Sequence, residues 1–122
     1  MRALFARVLE LDPSYGGGSI HEALVSVEAL PEAMGGSEER ARDHFQRAIE
    51  ATGGLSAGTY VSFVNQVTIG NQDREEFISL LDKALAIDLD DAPSRRLANI
   101  LAQRRARVML ERIDDYFLEP LD

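Results

Sequence analysis

The sequence predicts an all-α protein of antiparallel helix pairs stacked into a right-handed array, and three observations carry that prediction. Apolar residues recur at three- and four-residue spacing in successive stretches, the signature of one-sided helices. Breakers rich in Gly, Pro and Asp punctuate those stretches. A helix-length pattern also recurs: Phe5-x-x-Val8-Leu9, Phe45-x-x-Ala48-Ile49 and Leu81-x-x-Ala84-Leu85 align at offsets of 40 and 36 residues. At 122 residues the chain is one domain's worth, so residues 1–122 are expected to form a single helical-repeat domain of about six helices.

Met1 to Leu11 reads as the first helix, with Leu4, Phe5, Val8 and Leu11 on one face and Asp12-Pro13 ending it. Tyr15-Gly16-Gly17-Gly18 is a loop, and because it follows no strand it is a poor phosphate cradle. Ser19, with Glu22 three residues on, marks a second helix running to about Leu30. Pro31 to Gly36 connects it to a third. Ser37 opens that helix, Glu38 and Glu39 complement its positive end, and Gly53-Gly54 stops it. Its core face is Ala41, Phe45, Ala48 and Ile49.

The segment Thr59 to Ile69 is rich in strand-favouring Val, Thr and Ile, but its apolar positions 60, 61, 63, 64 and 67 fit a helix and not strict alternation. Gly70-Asn71 ends it. Asp73 then caps the next helix, with Glu76 at the capping-box position and Phe77, Leu80, Leu81, Ala84, Leu85 and Ile87 as the apolar face.

The last helix is the longest. Ser94 to Phe117 holds no Gly or Pro for 24 residues and follows Asp90-Asp91-Ala92-Pro93, a helix-start signature. Unbroken, it would be roughly 36 Å long. On a 100° wheel Leu97, Leu101 and Val108 cluster, and Ala98, Ala102, Met109, Ile113, Tyr116 and Phe117 extend the apolar surface past half the circumference. A surface helix needs a stripe of only about 100°. The excess predicts burial on two sides, against the body of the protein and against a second surface. Arg105 and Arg112, seven apart, fall inside the apolar sector. Either they snorkel, with Arg112 pairing to Asp115, or they meet a carboxylate of a partner or ligand at the second surface.

Charge and composition exclude several function classes. The chain has no Cys, hence no disulfide framework, thiolate zinc site or thiol nucleophile. Net charge is −8, with residues 1–93 carrying 7 basic and 16 acidic groups and residues 94–122 carrying 6 and 5. An acidic protein with half of its twelve arginines on the last helix is a poor candidate for general nucleic-acid binding. No apolar run reaches membrane-spanning length, and the amphipathic N-terminal segment lacks a signal-peptide core. Either the protein is cytoplasmic or the chain begins after a targeting segment.

Catalytic patterns are equally scarce. His21-Glu22 begins a zinc-binding H-E-x-x-H, but position 25 is Val. The adjacent pairs Glu75-Glu76 and Asp114-Asp115 point to different helix faces. Asp88-x-Asp90-Asp91 lacks the Gly and distal Glu of a calcium loop. Ser56 has no base in a recognisable motif. The expectation is a protein without catalysis, metal or cofactor.

The recurring unit resembles the second helix of a tetratricopeptide repeat, most clearly at Ala41, Phe45 and Ala48, without the Trp and Gly-Tyr markers of the first helix. Such pairs bury their faces only by stacking on the next pair. A narrower resemblance covers nearly the whole chain. Ser56-Ala57-Gly58-x-Tyr60-Val61, Gln72-Asp73-Arg74-x-Glu76-Phe77 and Arg96-Leu97-Ala98-Asn99-x-Leu101-Ala102-Gln103-Arg104-Arg105-Ala106 are similar to the T component associated with TRAP (tripartite ATP-independent periplasmic) transporters. The segment Leu9 to Pro13 with Tyr15, and Gly35-Gly36 leading into Arg40-Ala41-x-x-His44-Phe45, also fit. The resemblance implies a periplasmic helical-repeat protein that assembles as a trimer, docks the transporter's substrate-binding protein and offers a small apolar ligand a passage. Members of that family begin with a lipoprotein signal, a lipobox Cys and further helices, which these residues do not show.

Six residues stand out where that resemblance and the helical wheel agree. Asn99 and Gln103 are one turn apart and suited to a peptide or ligand, or else to the backbone of a neighbouring loop. Arg105 and Arg112 are the anomalous charges. Tyr60 and Asn65 lie on the helix before the last repeat, Tyr60 having a core position as its alternative. Against the transporter reading stands a generic tetratricopeptide-like scaffold holding a peptide in its groove. The first predicts self-association through broad apolar surfaces, the second a monomer with a polar groove.

Overall fold

The computed structural model describes residue 7, residues 24, 25 and 27–30, and residues 32–118. Among these every regular element is helical and none is a strand. The helix expected over Met1 to Leu11, the glycine loop and the expected start of the second helix at Ser19 lie outside the described residues. The chain divides into two compact units, Met1–Gly54 and Leu55–Asp122.

In the first unit residues 24, 25, 27 and 28 are helical, as expected, and the chain then turns through a 3-10 turn, Glu32–Met34. Gly35, at φ 89°, occupies the left-handed region that glycine tolerates best. Gly36 is held so close to the preceding turn that a Cβ there would lie 1.7 Å from the carbonyl oxygen of Leu30. The Ser37 N–H donates to the Glu28 carbonyl at 2.8 Å, locking the connector. Helix α1, Glu38–Thr52, begins where predicted: the Ser37 hydroxyl accepts the Arg40 N–H at 3.3 Å. It ends at Gly53, φ 64°, whose N–H and that of Gly54 return to Glu50 and Ile49. Ala41, Phe45, Ala48 and Thr52 are its buried residues, while Ile49, expected in the core, is half-buried.

The second unit is a three-helix packing. Helix α2, Ala57–Phe63, continues into one π-helical turn, Val64–Thr68, closed by the Ile69 N–H donating to Val64 at 3.1 Å. Helix α3 is Arg74–Leu85 and helix α4 is Arg96–Glu111, and each of α2, α3 and α4 packs against the other two. The side chains between them are Tyr60, Val61, Phe63, Val64, Val67, Phe77, Leu80, Leu81, Ala84, Ala106 and Met109, all buried. Helical periodicity therefore prevailed over the strand propensity of residues 59–69. Asp73 caps α3 as predicted, accepting the Glu76 N–H at 3.0 Å, and the Glu76 carboxylate takes the buried Thr68 hydroxyl at 2.7 Å. Short 3-10 turns, Leu89–Asp91 and Pro93–Arg95, carry the chain from α3 to α4.

Two expectations for the last helix need correction. It does not run unbroken to Phe117: α4 ends at Arg112 (φ −107°, ψ 26°), and a separate turn, α5, spans Ile113–Tyr116. No Gly or Pro marks the break; tertiary contacts make it. Asp114 pairs with Arg74 at 2.8 Å, and Phe77 receives the Tyr116 and Phe117 rings at 5.5 and 5.1 Å. The Gln72 amide, on a left-handed residue at φ 54°, donates to the Tyr116 carbonyl at 3.0 Å and accepts the Leu118 N–H at 2.8 Å. Together these fold the tail back onto the start of α3. The second correction concerns the buried face. Asn99, Gln103, Ala106 and Met109 turn inward, whereas Leu97, Leu101 and Val108 stand 71, 55 and 47% exposed.

Candidate functional site

Helix α4 gathers most of the residues singled out from sequence, and the structure sorts them onto two opposite faces. On the inward face, one turn apart, lie Asn99 and Gln103. A helix N-terminus leaves backbone N–H groups without intrahelical partners, and a C-terminus leaves carbonyls. Asn99 supplies both ends of one such need: its Oδ1 accepts the Ala57 N–H at 2.9 Å and its Nδ2 donates to the Leu55 carbonyl at 2.9 Å. Ser56, at the N-cap of α2, makes no side-chain cap bond, so an amide from another helix does that work. Gln103 treats the other end of the packing, its Nε2 donating to the Ala84 carbonyl at 3.1 Å and to that of Ile87 at 2.9 Å. The two amides thus pin the start of α2 and the end of α3 to α4.

On the outward face the apolar row Leu97, Leu101 and Val108 is accompanied by Arg104, Arg105, Arg107 and Arg112, all exposed. Among the described residues none of these four arginines forms an ion pair, and Arg112 is not joined to Asp115 through its side chain. The nearby cations Arg96 and Arg74 are engaged, with Asp90 at 2.6 Å and Asp114 at 2.8 Å. Tyr60 is buried on α2, and Asn65 sits exposed on the π turn, its Nδ2 donating to the Val61 carbonyl at 3.1 Å. The six candidates are therefore not convergent. Asn99, Gln103 and Tyr60 lie inside the three-helix packing, and Arg105, Arg112 and Asn65 lie on its surface.

Two clusters escaped the sequence reading. Glu28 is 1% exposed, and its carboxylate takes the Arg40 Nε–H at 2.6 Å while Arg40 also reaches the Gly35 carbonyl at 3.0 Å. A Glu twelve residues from its Arg across a connector leaves no periodic signal. His44, one turn along α1 from Arg40, is held below its ordinary pKa chiefly by burial, with Arg47 and Arg40 lowering it further against the pull of Asp43 and Glu28. The second cluster is the Gln72 clasp on the tail. Among the described residues no group of three metal-ligating side chains converges, no buried side-chain polar atom lacks a partner, and no helix is long and apolar enough to cross a membrane.

Comparison with known proteins gives this arrangement a family context. A family model described as "TRAP transporter T-component" matches residues 1–117. The chain is also similar to an uncharacterized protein of Treponema pallidum (strain Nichols), 31% identical over 117 residues, covering 95% of this chain and 36% of that protein. The chain thus spans little more than a third of the length of that relative.

Proposed function

From the premise that the chain belongs to the TRAP transporter T-component family, we propose that it is a non-catalytic accessory protein of a periplasmic solute transport system, docking the transporter's substrate-binding protein. The observation that carries this reading is the family match across residues 1–117, which takes in both faces of α4. The outward face supports it physically. Soluble proteins normally cover an extended apolar row, and one left open among arginines suits a protein partner.

The same reading extends to finer points. The helices form a single tetratricopeptide-like domain of stacked pairs. The protein works in the periplasm, assembles as a trimer, and passes a small apolar or carboxylate ligand to or from the substrate-binding protein. Arg105 and Arg112 contact that partner or ligand from the surface, with Tyr60 on α2, Asn65 on the π turn that follows it, and Asn99 and Gln103 holding the helices that present them.

Affinity capture from a periplasmic extract of the source organism, with this chain as bait and mass spectrometry as the readout, tests the proposal. Recovery of a TRAP substrate-binding protein is the expected result. Recovery of cytoplasmic peptides from a whole-cell extract, with no substrate-binding protein in the periplasmic one, would leave a generic repeat scaffold instead.

A further inference from the structure

The outward face of α4 has a finer pattern than an apolar row. Leu97, Leu101, Arg104 and Val108 follow one another at spacings of 4, 3 and 4, which is the seam of a heptad repeat. Along the helix this seam is roughly 16 Å long, three turns. With Leu101 and Arg104 taken as the two seam positions of one heptad, Arg105 and Arg107 occupy the flanking positions beside it, and Arg112 the flank of the next turn. Asn99 and Ala106 fall on the opposite side, where they are buried. The helix therefore uses one face to hold α2 and α3 and presents the other, seam and flanks complete, to solvent.

Charge then selects the occupant. The flanking side chains Arg105, Arg107 and Arg112 are basic, a fourth arginine sits in the seam itself, and Glu111, at the next seam position, is the single acid set among these four arginines. Pairing this helix with the same helix of a second copy would set these arginines against one another, and like charges across such a seam are unfavourable. A helix with carboxylates at its own flanking positions, and one opposite Arg104, satisfies all four. We propose that the exposed face of α4 docks an acidic amphipathic helix of the transporter's substrate-binding protein, with Leu97, Leu101 and Val108 as the apolar contact and Arg104, Arg105, Arg107 and Arg112 as its charge complement. This deepens the docking reading and rests on it.

The test uses the full chain and the purified substrate-binding subunit of the same organism's TRAP transporter, with affinity measured by isothermal titration at low and moderate salt. Three variants are compared: Leu101→Glu, the double change Arg104→Glu with Arg105→Glu, and Arg47→Glu on α1 as a charge control. All four substituted positions are exposed, and circular dichroism checks that each variant folds. Both seam variants are expected to weaken binding by about tenfold or more, the scale of losing one well-packed interface contact. The double variant also flattens the salt dependence, and Arg47→Glu leaves affinity unchanged. If the wild-type chain binds and both seam variants bind as tightly, this face is the wrong one while the docking reading stands. If the wild-type chain does not bind, the docking reading fails and takes this inference with it. Sedimentation velocity on the same samples closes the remaining route: a fall in assembly size in the seam variants would make the face a contact between copies and overturn the assignment.

Discussion

Replacing Asn99 with Ala tests the central structural argument, that α4 organises its neighbours through buried amides. Asn99 is 1% exposed and Ala57, whose N–H it accepts, is 0% exposed. That N–H lies at the start of α2, where no carbonyl of the helix reaches it, and its burial keeps water away. An unsatisfied buried donor costs roughly 1–3 kcal/mol. The Leu55 carbonyl, half-buried, can recover water in part, so its loss adds at most about 1 kcal/mol. Asn99→Ala is therefore expected to destabilise the protein by about 1–4 kcal/mol, against a total of about 5–15 for a typical domain. Gln103→Ala should cost less, about 1 kcal/mol, because it strands only carbonyls, which retain a second lone pair. Urea unfolding followed by circular dichroism measures both, and hydrogen exchange at the Ala57 amide localises the first. An Asn99→Ala chain within about 0.5 kcal/mol of wild type, with the Ala57 amide still protected, would refute the reasoning.

Other sites make sharper or smaller claims. Gly36→Ala forces a Cβ into the Leu30 backbone and should cost upwards of about 2 kcal/mol, read as a lowered melting temperature; a neutral result would mean that the connector shifts freely. Gln72→Ala removes both side-chain bonds to the tail and should raise hydrogen exchange at the Leu118 amide while leaving the Ala57 amide unchanged. His44 has a folded-state pKa below its ordinary value of 6.5, so the unfolded chain binds the proton more readily. Its contribution is complete above about pH 6.5 and is lost as pH falls toward the lower folded value. His44→Gln should flatten the pH dependence of stability in that window, measured by urea midpoints at several pH values.

Local chemistry made much of the fold legible. The Ser37 and Asp73 caps, the Gly53 stop and the helical period of residues 59–69 each depend on groups within a few residues, and the structure places them as read. The closing π turn at Val64–Thr68 had no such signal, since its composition continues an ordinary helix. Of the candidate site, the wheel expected the broad apolar sector around Leu97, Leu101 and Val108 to be buried, whereas those three are exposed and the polar Asn99 and Gln103 are inside. A wheel ranks positions by hydrophobicity, and here only Met109 of the four buried positions is a large apolar residue, the others being two amides and a small residue, Asn99, Gln103 and Ala106. They are inside because the ends of α2 and α3 need hydrogen-bond partners there, a demand that exists only once those helices are packed.

The sequence by itself thus determined, among the described residues, the starts of α1 and α3, the Gly53 stop and the helical state of residues 59–69, together with the family, because each is carried by side chains close together along the chain. Tertiary structure decided what no local pattern encodes. It ended α4 at Arg112, because Arg74, Phe77 and Gln72 capture the tail from about forty residues away. It also turned Leu97, Leu101 and Val108 to solvent, because α2 and α3 pack on the face that carries Asn99, Gln103, Ala106 and Met109, where the two amides satisfy their backbone ends.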